Sequence, residues 1–103
     1  MTDDRLVLIV EFRAATGRAD ELRTALLALV APTRAEAGCL QYDLHEDPSD
    51  PDALAFYEIW ADGDAHAAHD RTEHVRAISA AIPGLTPEPP RFRRLRRVEP
   101  DAL

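Results

Sequence analysis

The chain has no asparagine and no lysine, and only one cysteine, one tryptophan and one methionine among its 103 residues. The lone Cys39 cannot close an internal disulfide and no paired-cysteine metal spacing occurs, so thiol-pair redox chemistry is excluded. The apolar stretch Leu6 to Val10 is far too short to span a bilayer or serve as a secretory core, and Met1-Thr2-Asp3-Asp4 is acidic. The expectation is a cytoplasmic protein with no membrane partner. Positive charge is also scarce: twelve arginines face nineteen acidic residues, for a net charge of −7 that repels a phosphate backbone. Four of the arginines cluster at Arg93, Arg94, Arg96 and Arg97, with Phe92 as the sole neighbouring aromatic. Such a stripe is expected to pair with acidic neighbours, and nucleic acid is not an expected partner.

With 46% apolar residues, the chain can bury one modest core, and a single domain over residues 1–103 is expected. Leu6 to Phe12 reads as a strand that is apolar on both faces except at Glu11, as expected when both sides are covered. After Thr16-Gly17, the residues Leu22, Leu26, Leu29 and Val30 recur at helical spacing, predicting a helix over about 18–36. Asp20 and Glu21 suit its positive end, Pro32 must kink or restart it, and Gly38 ends it. Cys39 to Glu46 reads as a second strand, Asp47 to Asp52 as a loop dense in turn residues, and Leu54 to Trp60 as a third strand.

Asp62 can cap the next helix, and Asp64 to Ala81 is helical in pattern, either as one helix or as two short ones broken near Asp70, where Thr72 offers a second cap before Val75 and Ile78. Pro83, Gly84, Pro87, Pro89 and Pro90 predict a stiff connection, and Phe92 to Val98 a last strand. The order β-α-β-β-α-β is that of ferredoxin-like α+β folds, with helices on one face of a four-stranded antiparallel sheet. Strands apolar on both faces then call for a second covering surface. A homodimer joined sheet to sheet, forming an α+β barrel, meets that need.

Three stretches carry a more specific signal: Glu36-Ala37-Gly38-Cys39-Leu40-Gln41-Tyr42, then Phe56-Tyr57-Glu58-Ile59-Trp60, then Ala68-His69 through Thr72-Glu73-His74. In order and spacing they resemble the antibiotic biosynthesis monooxygenase domain family, over roughly residues 5–98. The resemblance implies a dimeric α+β barrel and, in its quinol monooxygenase-like branch, oxidation of a small aromatic by molecular oxygen without a cofactor. Haem-degrading relatives depend on an asparagine of the first strand, so a chain without asparagine is not expected to degrade haem.

Phe56, Glu58 and Trp60 share one face of the third strand, and His69 and His74 come from the helix that follows. Cofactor-free oxygenation needs an aromatic-lined pocket for a flat phenol and a base to make its electron-rich anion. Histidine suits that role, with an unperturbed pKa near ~6.5. His69 is the first candidate base and His74 the second, with Trp60 stacking on the ring or donating its indole N–H. Tyr42, Phe56, Tyr57 and Glu58 complete the expected substrate-binding set, Glu58 either orienting an imidazole or pairing with an arginine. His66 and His69, three apart on one helical face, could hold a divalent metal with His45 or Glu73, but no third ligand stands at a known spacing. No nucleotide, flavin or haem-attachment motif is present, and the expectation is no metal and no cofactor. Two other readings use the same residues: an isomerase or degradation enzyme that moves a proton without oxygen, and a dimeric protein that only binds small aromatics.

Overall fold

The computed structural model describes residues 3–100. In chain order these form strand β1 (Leu6–Arg13), helices α1 (Ala19–Leu27) and α2 (Val30–Arg34), strands β2 (Cys39–Asp47) and β3 (Asp50–Trp60), helices α3 (Gly63–Asp70) and α4 (Glu73–Leu85), and strand β4 (Arg91–Leu95). The four strands make one antiparallel sheet in the order β2-β3-β1-β4. This is the ferredoxin-like α+β arrangement that the element order predicts.

Register sorts the side chains. Leu8 lies opposite Glu58, Val10 opposite Phe56 and Tyr42 opposite Glu58, so the two-residue period puts Leu8, Val10, Tyr42, Leu54, Phe56, Glu58 and Trp60 on one face. All seven are buried, and the apolar members share a core with Leu22, Leu26 and Leu29 of the first helical segment and Ile82 and Leu85 of α4. The opposite face carries Val7, Ile9, Glu11, Tyr57 and Ile59, together with Arg93 and Leu95 from the edge strand β4, whose residues are all exposed. Among the described residues no helix is long and apolar enough to cross a membrane.

Several element boundaries differ from expectation for identifiable reasons. The helix expected over 18–36 is two helices parted at Ala28-Leu29, and Pro32 falls in the first turn of α2, where its missing N–H has no intrahelical partner to lose. Of the one-helix and two-helix readings of 64–81, the two-helix one holds, with the break at Arg71-Thr72. α4, however, runs through Pro83 and Gly84 to Leu85 before the proline-rich connection starts. Pro83 removes one hydrogen bond near the helix end, while the same turn buries Ile82 and Leu85. The loop expected over Asp47 to Asp52 is only Pro48-Ser49, since Asp47 pairs with Asp50 and its Oδ1 accepts from the Ser49 amide at 2.8 Å and hydroxyl at 2.7 Å. β4 stops at Leu95 instead of Val98. Of the four clustered arginines, Arg97 alone forms an ion pair among the described residues, with Glu99 at 2.8 Å.

Candidate active site

The chemistry-bearing side chains gather where the covered sheet face meets α3 and α4. Two caps position the helices. Asp62 accepts from the Ala65 amide at 2.8 Å to open α3. Thr72 donates its hydroxyl to the His69 carbonyl at 2.8 Å and accepts from the Val75 amide at 3.3 Å, closing one helix and opening the next. His69 therefore stands in the last turn of α3 and His74 in the first turn of α4, close enough to reach one common partner.

That partner is Glu36, on the short link between α2 and β2. Its Oε2 lies 2.7 Å from His69 Nδ1 and 2.7 Å from His74 Nε2. An ionised carboxylate only accepts, so it fixes each ring with the N–H on the facing nitrogen. In the neutral His69 ring this leaves Nε2 as the acceptor nitrogen, and no protein group bonds to it among the described residues. Gly38 makes the link possible: its φ of +84° lies in the left-handed region, and a Cβ there would come within 2.6 Å of the Ala65 Cβ in α3. Glycine thus lets α3 settle against the start of β2, which brings Glu36 within reach of both imidazoles.

Beside His69, Trp60 is fully buried, with ring centroids 4.7 Å apart, and Tyr42 stacks on Phe56 at 4.4 Å. The Trp60 indole N–H donates to Glu58 Oε1 at 2.9 Å. Among the described residues Glu58 forms no ion pair with an arginine and no hydrogen bond with an imidazole. Burial pushes its carboxyl up to about 7, with the Trp60 hydrogen bond opposing the shift and the charges of Asp70 and Glu36 adding to it. Burial likewise lowers the pKa of His66, favouring its neutral ring, against the pull of Asp70 3.8 Å away. The Tyr42 hydroxyl is pushed well up by burial and by the charge of Glu58, so it stays protonated.

A cavity of about 90 Å³ lies between sheet and helices; its walls include Tyr42, Phe56, Glu58, His66 and His69, with Phe92 at the exposed side. Of the residues expected from sequence, His69, Tyr42, Phe56 and Glu58 meet here. Trp60 stands behind the wall, and His74 reaches Glu36 from outside it. Tyr57 is on the other face of the sheet, lining a separate hollow with Val7, Ile59 and Leu95. A larger hollow, about 800 Å³, lies at the far end of the sheet among Glu11, Arg13, His45 and Asp47, away from the imidazole pair. Glu36 is the site residue that sequence reasoning missed as a participant. It begins the first of the three signature stretches, but its partners are 33 and 38 positions away.

The potential metal ligands also differ from expectation. His45 turns to the Asp43 carbonyl on β2, and the group whose ligand atoms all lie within 4.8 Å of one another is Glu36, His69 and His74. Two imidazoles and a carboxylate can hold a zinc-like ion. Both nitrogens, however, sit at hydrogen-bond distance from the same oxygen, and that geometry is an orienting carboxylate between two N–H donors.

Fold and site together define a ferredoxin-like α+β protein with an oriented imidazole on an aromatic cavity. The family described as antibiotic biosynthesis monooxygenase matches residues 5–81, and the chain belongs to it. Among solved structures, PA3566 from Pseudomonas aeruginosa is 40% identical with a TM-score of 0.90, over 96% of this chain and 99% of that one. Rv0793 from Mycobacterium tuberculosis is 27% identical with a TM-score of 0.87, over 92% and 96% of the two chains. A crystal structure named antibiotic biosynthesis monooxygenase is 29% identical with a TM-score of 0.85, over 91% and 99%. The uncharacterized protein sll1783 from Synechocystis sp. is 24% identical over 87 residues, 84% of this chain and 59% of that protein, so the chain spans about three-fifths of that curated relative.

Proposed function

We propose that this protein is a cofactor-independent monooxygenase that oxidises a small quinol-like aromatic with molecular oxygen. The observation that carries the reading is His69, held at Nδ1 by Glu36 at 2.7 Å while lining a cavity walled by Tyr42 and Phe56. An imidazole fixed in this way offers Nε2 as a general base, worth roughly 10²–10⁴ in rate. It deprotonates a phenolic hydroxyl, and the resulting anion reduces oxygen directly. Trp60 supports the cavity from behind rather than touching the ring, and His74 helps hold Glu36.

The cavity volume of about 90 Å³ favours a single-ring substrate. Benzene occupies a dry cavity of about 150 Å³ in a protein core, so even one ring requires movement of rim side chains, with the exposed Phe92 the readiest to shift. A homodimer is part of the proposal, and the apolar Val7, Ile9, Tyr57, Ile59 and Leu95 on the other sheet face support it. Reaction under isotopically labelled oxygen tests the function: one labelled atom should enter the product and the other should enter water. Turnover of a quinol with no label incorporated would contradict it. A second reading, an isomerase moving a proton between two sites, draws on the presence of both His69 and Glu58 in one cavity, and its mark is turnover without oxygen.

A further inference from the structure

We propose that Glu58 is a second catalytic residue of this cavity, handing a proton to the oxygenated substrate and taking one back, while His69 handles the substrate hydroxyl. The inference rests on the oxygenase reading above. Glu58 is only 3% exposed, and its register partners, Leu8 on β1 and Tyr42 on β2, bring no positive charge to it. One oxygen is anchored by the Trp60 indole at 2.9 Å. The other has no protein donor among the described residues, and Glu58 lines the same cavity as His69. A carboxyl buried for structural reasons is normally paired on both oxygens or neutralised by an arginine, because leaving it unpaired costs stability. Here one oxygen is fixed and the other is left to whatever fills the cavity. The ionisable groups around it are Tyr42 from β2, His66, His69 and Asp70 from α3, and Glu36 from the α2–β2 link. None of them is a permanent cation, and Arg94 of β4, paired with Leu8 on the same face, acts on the His66 ring and not on Glu58. Its carboxyl therefore retains a proton at pH values where an exposed glutamate has lost it, up to about 7.

The chemistry then balances without a further reductant. His69 Nε2 takes a hydroxyl proton from a reduced quinol. The anion passes electrons to oxygen, and a C–O bond forms at the neighbouring ring carbon to give a peroxide anion, which Glu58 protonates. The Glu58 carboxylate next removes the hydrogen from that carbon as the O–O bond breaks, leaving a carbonyl. The departing hydroxide takes the proton held on His69 and leaves as water. All electrons that reduce oxygen come from the ring, the product is a hydroxyquinone, and both side chains return to their starting protonation.

Glu58→Gln tests this role, because the amide oxygen still accepts from Trp60 and the volume is unchanged. With methylhydroquinone as the probe, anaerobic binding should stay within about twofold of wild type, as for a change that spares ground-state contacts. Hydroxyquinone formation should fall roughly a hundredfold or more. The oxygen still consumed should reappear as hydrogen peroxide, a partition that a purely structural role would not move. Hydroxyquinone formed at the wild-type rate, or binding lost along with turnover, would overturn the proposal. Wild type that binds the probe but takes up no oxygen would overturn the oxygenase reading itself, and this role with it. Should the glutamine variant fail to fold, Trp60→Phe provides the second test. Loss of the indole donor should move the alkaline fall of kcat to higher pH, and an unmoved profile would overturn the role of Glu58.

Discussion

The two faces of this sheet are built from the same strands, yet they differ in kind. On the face under the helices, every described position of β3 from Leu54 to Trp60 at the two-residue spacing is buried, and it includes the carboxyl of Glu58. The intervening residues Ala55, Tyr57 and Ile59 are only half-buried and carry no buried titratable group. One face concentrates polar chemistry inside an apolar core, at a cost in stability, whereas the other presents an apolar surface with arginines along its edge. Packed cores tolerate a buried carboxyl poorly, so its presence on the covered face is the stronger pointer to chemistry, and the open face points to assembly.

Substitutions on each face should separate those roles. The largest effect is expected for His69→Ala, which should lower quinol turnover by about 10²–10⁴ while the fold, followed by circular dichroism, is retained. Next comes the pH dependence of stability. The Glu58 carboxyl ionises near 4.5 in the unfolded chain but only at about 7 in the folded one. The folded state therefore holds the proton longer, and the contribution of Glu58 to stability falls as pH rises through that window, then levels off. Glu58→Gln should match wild type below the window and exceed it by up to about 3 kcal/mol above pH 8, since each pH unit between the two ionisations contributes about 1.4 kcal/mol. Urea titrations at pH 4 and pH 8 would check this, and a constant difference at both would count against it.

Gly38→Ala should cost about 1–3 kcal/mol, because it forces both a left-handed residue and a 2.6 Å contact with Ala65. Its activity should fall with stability, since the shifted segment carries Glu36. The smallest effect on chemistry is expected for Tyr57→Ala on the open face. Turnover per folded chain should change by no more than about twofold, while sedimentation should show weaker association of the proposed dimer. Loss of turnover without a change in assembly would erase the distinction between the faces.

Much of this division was legible in the sequence. Short apolar runs at Leu6 to Phe12 and Leu54 to Trp60 marked the central strands, and Asp62 and Thr72 marked both helix starts by local chemistry that does not depend on tertiary contacts. The period of two also separates Tyr57 from Phe56 and Glu58, which puts it on the opposite face from the other residues of the expected substrate-binding set. The role of Glu36 was not legible, because it arises from a contact 33 residues away that exists only once α3 has ended and α4 has turned back. Pro83 inside α4 was hidden for a related reason: propensity argues for a helix stop, while the burial of Ile82 and Leu85 argues for one more turn, and only packing decides between them.

The most direct test of the account is oxygen uptake by wild type and His69→Ala side by side, with reduced single-ring quinols in buffer freed of metal and flavin. Saturable uptake by wild type, lost in a variant that still binds the quinol anaerobically, is the predicted result. Equal uptake by the two proteins would contradict it, removing His69 from the chemistry and with it the central role given to the Glu36-oriented imidazole.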